Sequence, residues 1–238
     1  MAQRSRSVAR QMTKERLYHE LRRRIVTLDL PPSADLEEAE LSAAYGMSRT
    51  PVRETLIRLQ NDGLVISRHN RGVVVAPLDV GTLQCWFEAG PMIHKAVVRL
   101  AAHRRRKEDL DAIREAMEDL EQAMTADDGP RMVLANERFH DLIGKAARNP
   151  YLYASYSRIL ADHARIAELC YGYETRERAE SDKALTRAQH RDLFEAIEAG
   201  DAATAERVIE SHLTHSADAL RQILQRSGEV LADVSLDT

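Results

Sequence analysis

Apolar residues recur at helical spacing along most of this chain, and a strand-like pattern is confined to one short stretch. After Pro77 the spacing predicts helices near 79–104, 107–125, 130–147, 151–171, 176–199 and 201–226. Gly200-Asp201 is typical of one helix ending and the next beginning. The pattern predicts an all-α antiparallel bundle over residues 78–228, followed by a tail at 229–238. Pro91 predicts a kink in the first of these helices, or its division into two pieces.

The first third of the chain has three short helical patterns followed by two β-rich runs. The helices are predicted over Thr13–Leu28, Leu36–Tyr45 and Ser48–Gly63, and the strands over Leu64–Ile66 and Val73–Val75. Gly46 suits the left-handed turn after the second helix, and Ser48 suits the N-cap of the third. Residues 1–77 are therefore predicted to form a winged helix-turn-helix with a two-stranded wing, which makes the chain mainly α.

Arginines on the third helix suggest the chemistry of this first domain. Arg49 and Arg53 lie four residues apart, so both project from the exposed side near the helix start. Arginine can make two hydrogen bonds to guanine in the major groove of DNA. A solvated helix face, or a helix-turn-helix used only for protein contact, is the alternative reading.

The segment Ser48-Arg-Thr-Pro-Val-Arg-Glu54, with Asp62-Gly63-Leu64-Val65 and Arg71-Gly72 downstream, resembles the DNA-binding domain of the GntR superfamily of bacterial transcription regulators. The resemblance implies that Arg49 and Arg53 read bases, Thr50 holds a phosphate and the wing tip enters the minor groove. The full set of expected DNA contacts is Ser48, Arg49, Thr50, Arg53, Arg58, His69, Arg71 and Gly72. Ala39 stands where some members carry an arginine, so that contact should be missing.

The charge distribution agrees with a DNA-binding first domain. Residues 1–77 contain 13 Lys and Arg against 9 Asp and Glu, whereas the remainder contains 21 against 29. A basic domain attached to an acidic one suits a protein that binds DNA through one part only. The basic residues of the first 16 positions are expected to form either an arm near phosphates or a solubilising tail.

The rest of the composition favours a cytoplasmic protein. Cys85 and Cys170 are the only cysteines, and they have no paired metal-ligand spacing. The N-terminus lacks the apolar core of a signal peptide, and no apolar run approaches membrane-spanning length. We therefore expect reduced thiols and no membrane partner.

Four polar residues at inward positions of the bundle are candidate metal ligands. Asn136 and His140 share one helix face, and His190 and His212 each lie beside apolar residues on later helices. Imidazoles that converge inside a bundle can hold a divalent transition metal. From spacing alone, a lone inward histidine is more often a hydrogen-bonded core residue than a ligand, and the helical pattern turns His163 inward with Ile159 and Ile166.

Asn136-Glu-Arg-Phe-His140, Gln189-His190-Arg-Asp-Leu-Phe and His212 resemble the effector domain of the FadR-type GntR regulators, called the FCD domain. The resemblance implies a site for Zn, Ni or Mn built from one acidic residue and three histidines. Asn136 occupies the acidic position, and its amide is a neutral ligand, so the affinity for metal should be lower. Without metal, the same pocket could hold an organic anion through its imidazoles.

The family further implies a carboxylate effector near the metal. Arg165, at an inward position, is the candidate partner for such an anion, and a surface arginine paired with Glu168 or Glu174 is the alternative. His94 lies near a position where many members carry a glutamate, which suggests a different ligand. His94 and Arg165 are the predicted effector-binding residues.

These observations predict a ligand-responsive transcriptional regulator. It would bind an inverted-repeat DNA operator as a homodimer, and a small organic acid would release it, which makes repression the expected sign. A constitutive DNA-binding protein with a purely structural dimerisation bundle is the first alternative. A metal-dependent enzyme is the second, although no general base or nucleophile constellation accompanies the candidate ligands.

Overall fold

The computed structural model describes residues 12–68, 72–173 and 176–226. Its elements in chain order are α1 (Lys14–Val26), β1 (Asp35–Leu36), α2 (Glu38–Tyr45), α3 (Arg49–Asn61), β2 (Val65–Arg68), β3 (Gly72–Val75), α4 (Val80–Arg104), α5 (Lys107–Ala126), α6 (Gly129–Ala146), α7 (Pro150–Tyr173), α8 (Arg176–Ala199) and α9 (Ala202–Arg226). The predicted wing-tip contacts His69 and Arg71, the N-terminal segment before residue 12 and the tail at 229–238 lie outside the described residues.

The first domain is a winged helix-turn-helix, as predicted. Gly46 ends α2 in the left-handed conformation, with φ of 62°. Ser48 occupies the N-cap of α3, although its side chain makes no capping hydrogen bond. The sheet has three strands in the order β1-β3-β2, rather than the two expected. Leu36 was predicted to begin the second helix but belongs to β1, where it pairs with Val73.

Six helices form the second domain, and α4 lies at its centre in contact with α6, α7, α8 and α9. The side chain of Asp79 caps α4 by accepting a hydrogen bond from the Thr82 backbone N–H at 2.8 Å. The helix then continues through Pro91 as one element, so the expected division into two pieces is wrong. Burial of its inward face against four neighbours stabilises the helix despite the hydrogen bond that proline removes.

The two domains share part of their packing. The core of the winged domain includes Val133 of α6 and Ala161 and Ala164 of α7, all buried beside residues of α1, α3 and the wing. A second, larger core fills the bundle. Along the described chain, no helix combines the length and the apolar character needed to cross a bilayer.

Candidate metal centre and DNA-binding surface

Five histidines meet inside the bundle, each supplied by a different helix. They are His94 on α4, His140 on α6, His163 on α7, His190 on α8 and His212 on α9, and none is more than 5% exposed. The ring centroids of His140 lie 5.3 Å from His190 and 5.5 Å from His212, and those of His190 and His212 are 4.9 Å apart. The fold therefore collects imidazoles that are far apart in the sequence.

The side-chain nitrogens of His140, His190 and His212 converge most closely. One nitrogen from each lies within 4.8 Å of the other two, and the Nε2 atoms of His140 and His190 are 3.3 Å apart. Two nitrogens bound to a tetrahedral Zn²⁺ at its usual bond length are about 3.3 Å apart. The spacing of this pair therefore already suits a shared ion.

In two of these histidines, a hydrogen bond determines which ring nitrogen keeps a lone pair that can bind a ligand or an ion. His212 Nδ1 lies 3.0 Å from Gln189 Oε1, while the amide nitrogen of Gln189 donates to Ser211 at 3.3 Å. His212 Nδ1 therefore donates, which leaves the lone pair on Nε2, as in metal sites where an outer partner orients the ligand. His94 Nδ1 likewise donates to the Gly90 carbonyl at 2.9 Å, which leaves its Nε2 as an acceptor.

Several polar atoms in this cluster are buried without a hydrogen-bond partner among the described residues. They are His94 Nε2, Asn136 Oδ1, His140 Nδ1, His163 Nδ1, His190 Nδ1 and His212 Nε2. An unpaired buried polar atom costs roughly 1–3 kcal/mol, and so many in one place is characteristic of a site that receives an ion, ordered water or a ligand. The donor set fits a transition metal because imidazole nitrogen is its common protein ligand.

Burial keeps all five imidazoles neutral. It lowers the pKa of His94 and of His190 to about 4. The pKa values of His140, His163 and His212 are lowered well below the ordinary range, first by burial and then by repulsion from neighbouring histidines. Metal ligation requires the unprotonated ring, so at neutral pH no proton has to be removed before an ion binds.

A small cavity of about 40 Å³ adjoins the cluster. Asn136, His163 and His212 line it, together with Asp182, Thr186 and Ser216. A water molecule needs roughly 10–15 Å³ of such volume, so the cavity has room for a few waters or for one carboxylate group.

Close contact between α6 and α7 positions His140. Gly144 lies against Tyr156, and a Cβ atom there would be 2.7 Å from the tyrosine ring. The hydroxyl of Tyr156 donates to the His140 carbonyl at 3.2 Å. The glycine thus allows α7 to approach the helix that carries His140.

The exposed side of α3 presents the predicted DNA contacts Arg49, Thr50 and Arg53, with Ser48 just before it. Arg53 makes two hydrogen bonds of 2.9 Å with the Glu38 carboxylate, which holds its guanidinium on the surface of the domain. Gly72 begins β3 with φ of 72°, a conformation that suits glycine at a wing tip. These side chains are accessible to a DNA duplex.

Arg58 was grouped with the DNA contacts, but the structure places it against α1. Its guanidinium stacks 3.6 Å from the centroid of Tyr18 and donates to Glu15 at 2.7 Å. It lines a cavity of about 690 Å³ between the two domains. Its side-chain contacts are therefore with α1 of the same domain, and its contact with DNA stays a prediction.

Two arginines connect the winged domain with the bundle. Arg22 of α1 forms a two-point ion pair with Glu137 of α6, whose side chain is only 7% exposed. Arg165 is fully buried and donates to Asp162 at 2.9 Å and to the Ala76 carbonyl at 2.6 Å. The predicted anion partner Arg165 is thus occupied by the segment that joins the domains, and it is not among the residues that line the histidine cavity.

The chain matches two known protein families. The family described as bacterial regulatory proteins, gntR family, matches residues 13–75, and the FCD domain matches residues 87–215. The chain belongs to the GntR family. Its winged domain and FCD domain are those of DNA-binding transcriptional regulators, and the family members are regulators rather than enzymes.

Individual GntR regulators resemble the chain over nearly its whole length. The HTH-type transcriptional repressor RspR of Escherichia coli is 26% identical over 219 residues, covering 92% of this chain and 93% of that protein. The HTH-type transcriptional regulator YdhC of Bacillus subtilis is 23% identical, covering 89% and 92%. The structure of E. coli McbR/YncC has the same fold, with a TM-score of 0.74 and 20% identity over 91% of this chain and all of that one.

His163 is the member of this GntR chain's histidine cluster that sequence reasoning missed. The helical pattern turned it inward, but it was grouped with core residues. Its ring centroid lies 5.2 Å from His140 and 5.5 Å from His94. Only the placement of α7 across α4 and α6 brings it into the site, and no local sequence signal contains that information.

Proposed function

We propose that this regulator binds one divalent transition metal in its FCD domain through His140, His190 and His212, and that occupancy of the site controls binding to an operator. The observation that carries the proposal is the convergence of three neutral imidazole nitrogens within 4.8 Å in a buried site. The Nε2 atoms of His140 and His190 have only each other as partners, and His212 Nε2 has none among the described residues. A bound ion would give all three a partner.

The ligands favour some metals over others. Asn136 contributes a neutral amide where the family resemblance implies an acidic residue, so the expected protein ligands carry no charge. Imidazole suits Zn and Ni, whereas Mn prefers carboxylate oxygen. We therefore propose Zn²⁺ or Ni²⁺, and disfavour Mn²⁺.

The effector we propose is a small organic acid whose carboxylate enters the cavity beside Asn136, His163 and His212. The three histidines and Asn136 are neutral, so a bound ion keeps positive charge that attracts an anion, although the carboxylate of Asp182 also lines the cavity. The cavity volume suits the carboxylate group itself rather than a bulky molecule. Arg165 is not required, because it does not line this cavity and its two terminal nitrogens already donate to Asp162 and to the Ala76 carbonyl.

Helix α6 is the proposed connection between this site and the DNA. It carries Asn136 and His140 on the metal side and Glu137, paired with Arg22, on the side of the winged domain. A shift of α6 on ligand binding would therefore move α1. We propose that two chains bind an inverted repeat and that the effector favours an arrangement which releases DNA, for which a coupling of about 1–3 kcal/mol suffices.

The test is the metal content of untagged protein by elemental mass spectrometry, with operator affinity measured before and after chelation. We expect about one equivalent of Zn or Ni, lost in His140→Ala and retained in the matched control His103→Ala, which removes an exposed histidine of α4. Chelation should change the affinity for a duplex obtained by in vitro selection. Metal-free wild-type protein with unchanged DNA affinity would contradict the proposal and favour a constitutive DNA-binding protein.

A further inference from the structure

We infer that His163 is a fourth imidazole ligand of this ion and strengthens a site in which the neutral amide of Asn136 takes the place of an acidic ligand. The inference rests on the proposed metal site and adds a helix to it, because α7 otherwise contributes no ligand. It also gives a role to a buried side chain that neither the DNA-binding surface nor the three-nitrogen cluster uses.

The position of His163 is the first observation. Its ring centroid lies 5.2 Å from that of His140 and 5.7 Å from that of His212. The ring lines the same cavity as Asn136 and His212. It therefore faces the space in which an ion held by the three-nitrogen cluster would have its remaining coordination positions.

The lack of hydrogen bonds is the second observation. His163 is 2% exposed, and within the described residues neither of its ring nitrogens makes a hydrogen bond. His94, equally buried on α4, does bind the Gly90 carbonyl. A histidine that merely fills the core would be expected to resemble His94, since an unpaired polar group in the interior is costly. Ligation to an ion removes that cost for His163.

The surroundings hold the ring close to the site without occupying its nitrogens. Trp86 packs against it at 5.7 Å between centroids and at 32° between the planes. The Trp86 indole N–H donates to the Ile159 carbonyl at 2.9 Å, one helical turn before His163, which fixes the tryptophan to the same helix. The nitrogens of His163 lie outside the 4.8 Å cluster, so ligation requires the ring to move toward the ion. No hydrogen bond within the described chain has to be broken for this movement.

Cobalt binding tests the inference, because Co²⁺ reports both affinity and coordination through its visible absorption. Wild type, His163→Gln and the control His103→Gln would each be titrated. We expect His163→Gln to lose at least about 10-fold in affinity, the lower limit typical for loss of an outer-shell partner, and to shift the absorption bands. His103→Gln should match wild type.

Asn136→Asp sharpens the test by restoring a carboxylate. This change should tighten Co²⁺ binding, and His163→Gln should then cost less affinity than in the wild-type background, because the two residues substitute for one another. If His163→Gln loses as much Co²⁺ affinity in the Asn136→Asp background as in wild type, or more, then His163 does not compensate for the missing carboxylate and the assignment is overturned.

His163→Leu separates a ligand role for His163 from a structural one. If His163 is a ligand, this change removes an unpaired buried polar group, so the metal-free protein should keep or gain unfolding free energy while its metal affinity falls. An unchanged cobalt affinity and spectrum in folded His163→Leu and His163→Gln would overturn the inference alone. A wild-type protein that binds no Co²⁺ would overturn both the inference and the proposed metal site.

Discussion

Arg53 is the single residue from which the clearest effect on DNA recognition is expected. Its guanidinium is exposed on α3, and two hydrogen bonds to the Glu38 carboxylate hold it in one orientation. We expect Arg53→Ala to cost roughly 1–3 kcal/mol of binding free energy at its base pair and to relax sequence preference there. Competition between a selected operator and scrambled DNA measures both effects.

A matched control separates base reading from general charge. Arg99→Ala removes an exposed arginine of α4, which pairs with Glu206 in the bundle, and should leave operator affinity nearly unchanged. Equal weakening of Arg53→Ala on operator and on scrambled DNA would mean that Arg53 contacts phosphate rather than a base.

The sequence predicted part of the candidate metal site and not the rest. Asn136 and His140 share one face of one helix, so the sequence alone determines their relation. His190 and His212 were candidates from their inward positions and from the family resemblance, and the structure brings both to His140. The contacts of His163, Arg58 and Arg165 depend on how separate helices cross, which no spacing within one helix reveals.

Among the elements, long helices were predicted well and short segments were not. The six helices of the FCD domain begin and end close to the predicted positions, because each has many turns of apolar periodicity and a polar or glycine boundary. Strand β1 has two residues, too few for any pattern, and forms because β3 offers it backbone partners. Pro91 indicated a kink or a division of the helix, and α4 continues through it as one element.

We expect the contact between helices α1 and α6 to couple metal binding in the FCD domain to operator binding by the winged domain. Glu137→Gln keeps the size of the side chain but removes the charge that pairs with Arg22. We expect metal affinity to stay close to that of wild type, while the effect of metal on operator affinity shrinks. Because Arg22 is 27% exposed, the loss of unfolding free energy should be about 1–3 kcal/mol, below that of a fully buried pair.

Operator binding with zinc and with chelator measures this coupling. Glu198→Gln is the matched control, since it breaks the surface pair with Arg114 inside the FCD domain and touches neither α1 nor α6. Full metal response in Glu137→Gln would show that the signal passes through the shared apolar contacts or Arg165 instead.

At the scale of the whole molecule, the two domains form one packed unit with opposite charge. Val133 and Ala161 of the bundle lie in the core of the winged domain, so we expect a displacement of α6 or α7 to act on the DNA-binding helices. The basic surplus lies in the winged domain and the acidic surplus in the remainder. DNA should therefore approach from the winged side, and the FCD domain should remain clear of it.

The histidine cluster also makes global stability depend on pH. In the folded metal-free protein the pKa values of His94 and His190 are about 4, whereas an ordinary histidine has a pKa of 6.5. As pH falls through 6.5, these histidines take up protons in the unfolded chain and not in the folded one. The unfolded state then binds more protons, so the free energy of unfolding falls with acidification.

Each of these histidines should lower the free energy of unfolding by up to about 1.4 kcal/mol per pH unit over this range. Urea unfolding of the metal-free protein at pH 7, 6 and 5 measures the slope before most carboxylates titrate. His94→Gln should reduce the slope, because it removes a histidine that stays neutral in the folded protein. Zinc should stabilise the protein at pH 7 and progressively less at pH 5, because protons compete for the same nitrogens. A free energy of unfolding that is constant from pH 7 to 5 would contradict the burial of neutral imidazoles in this site.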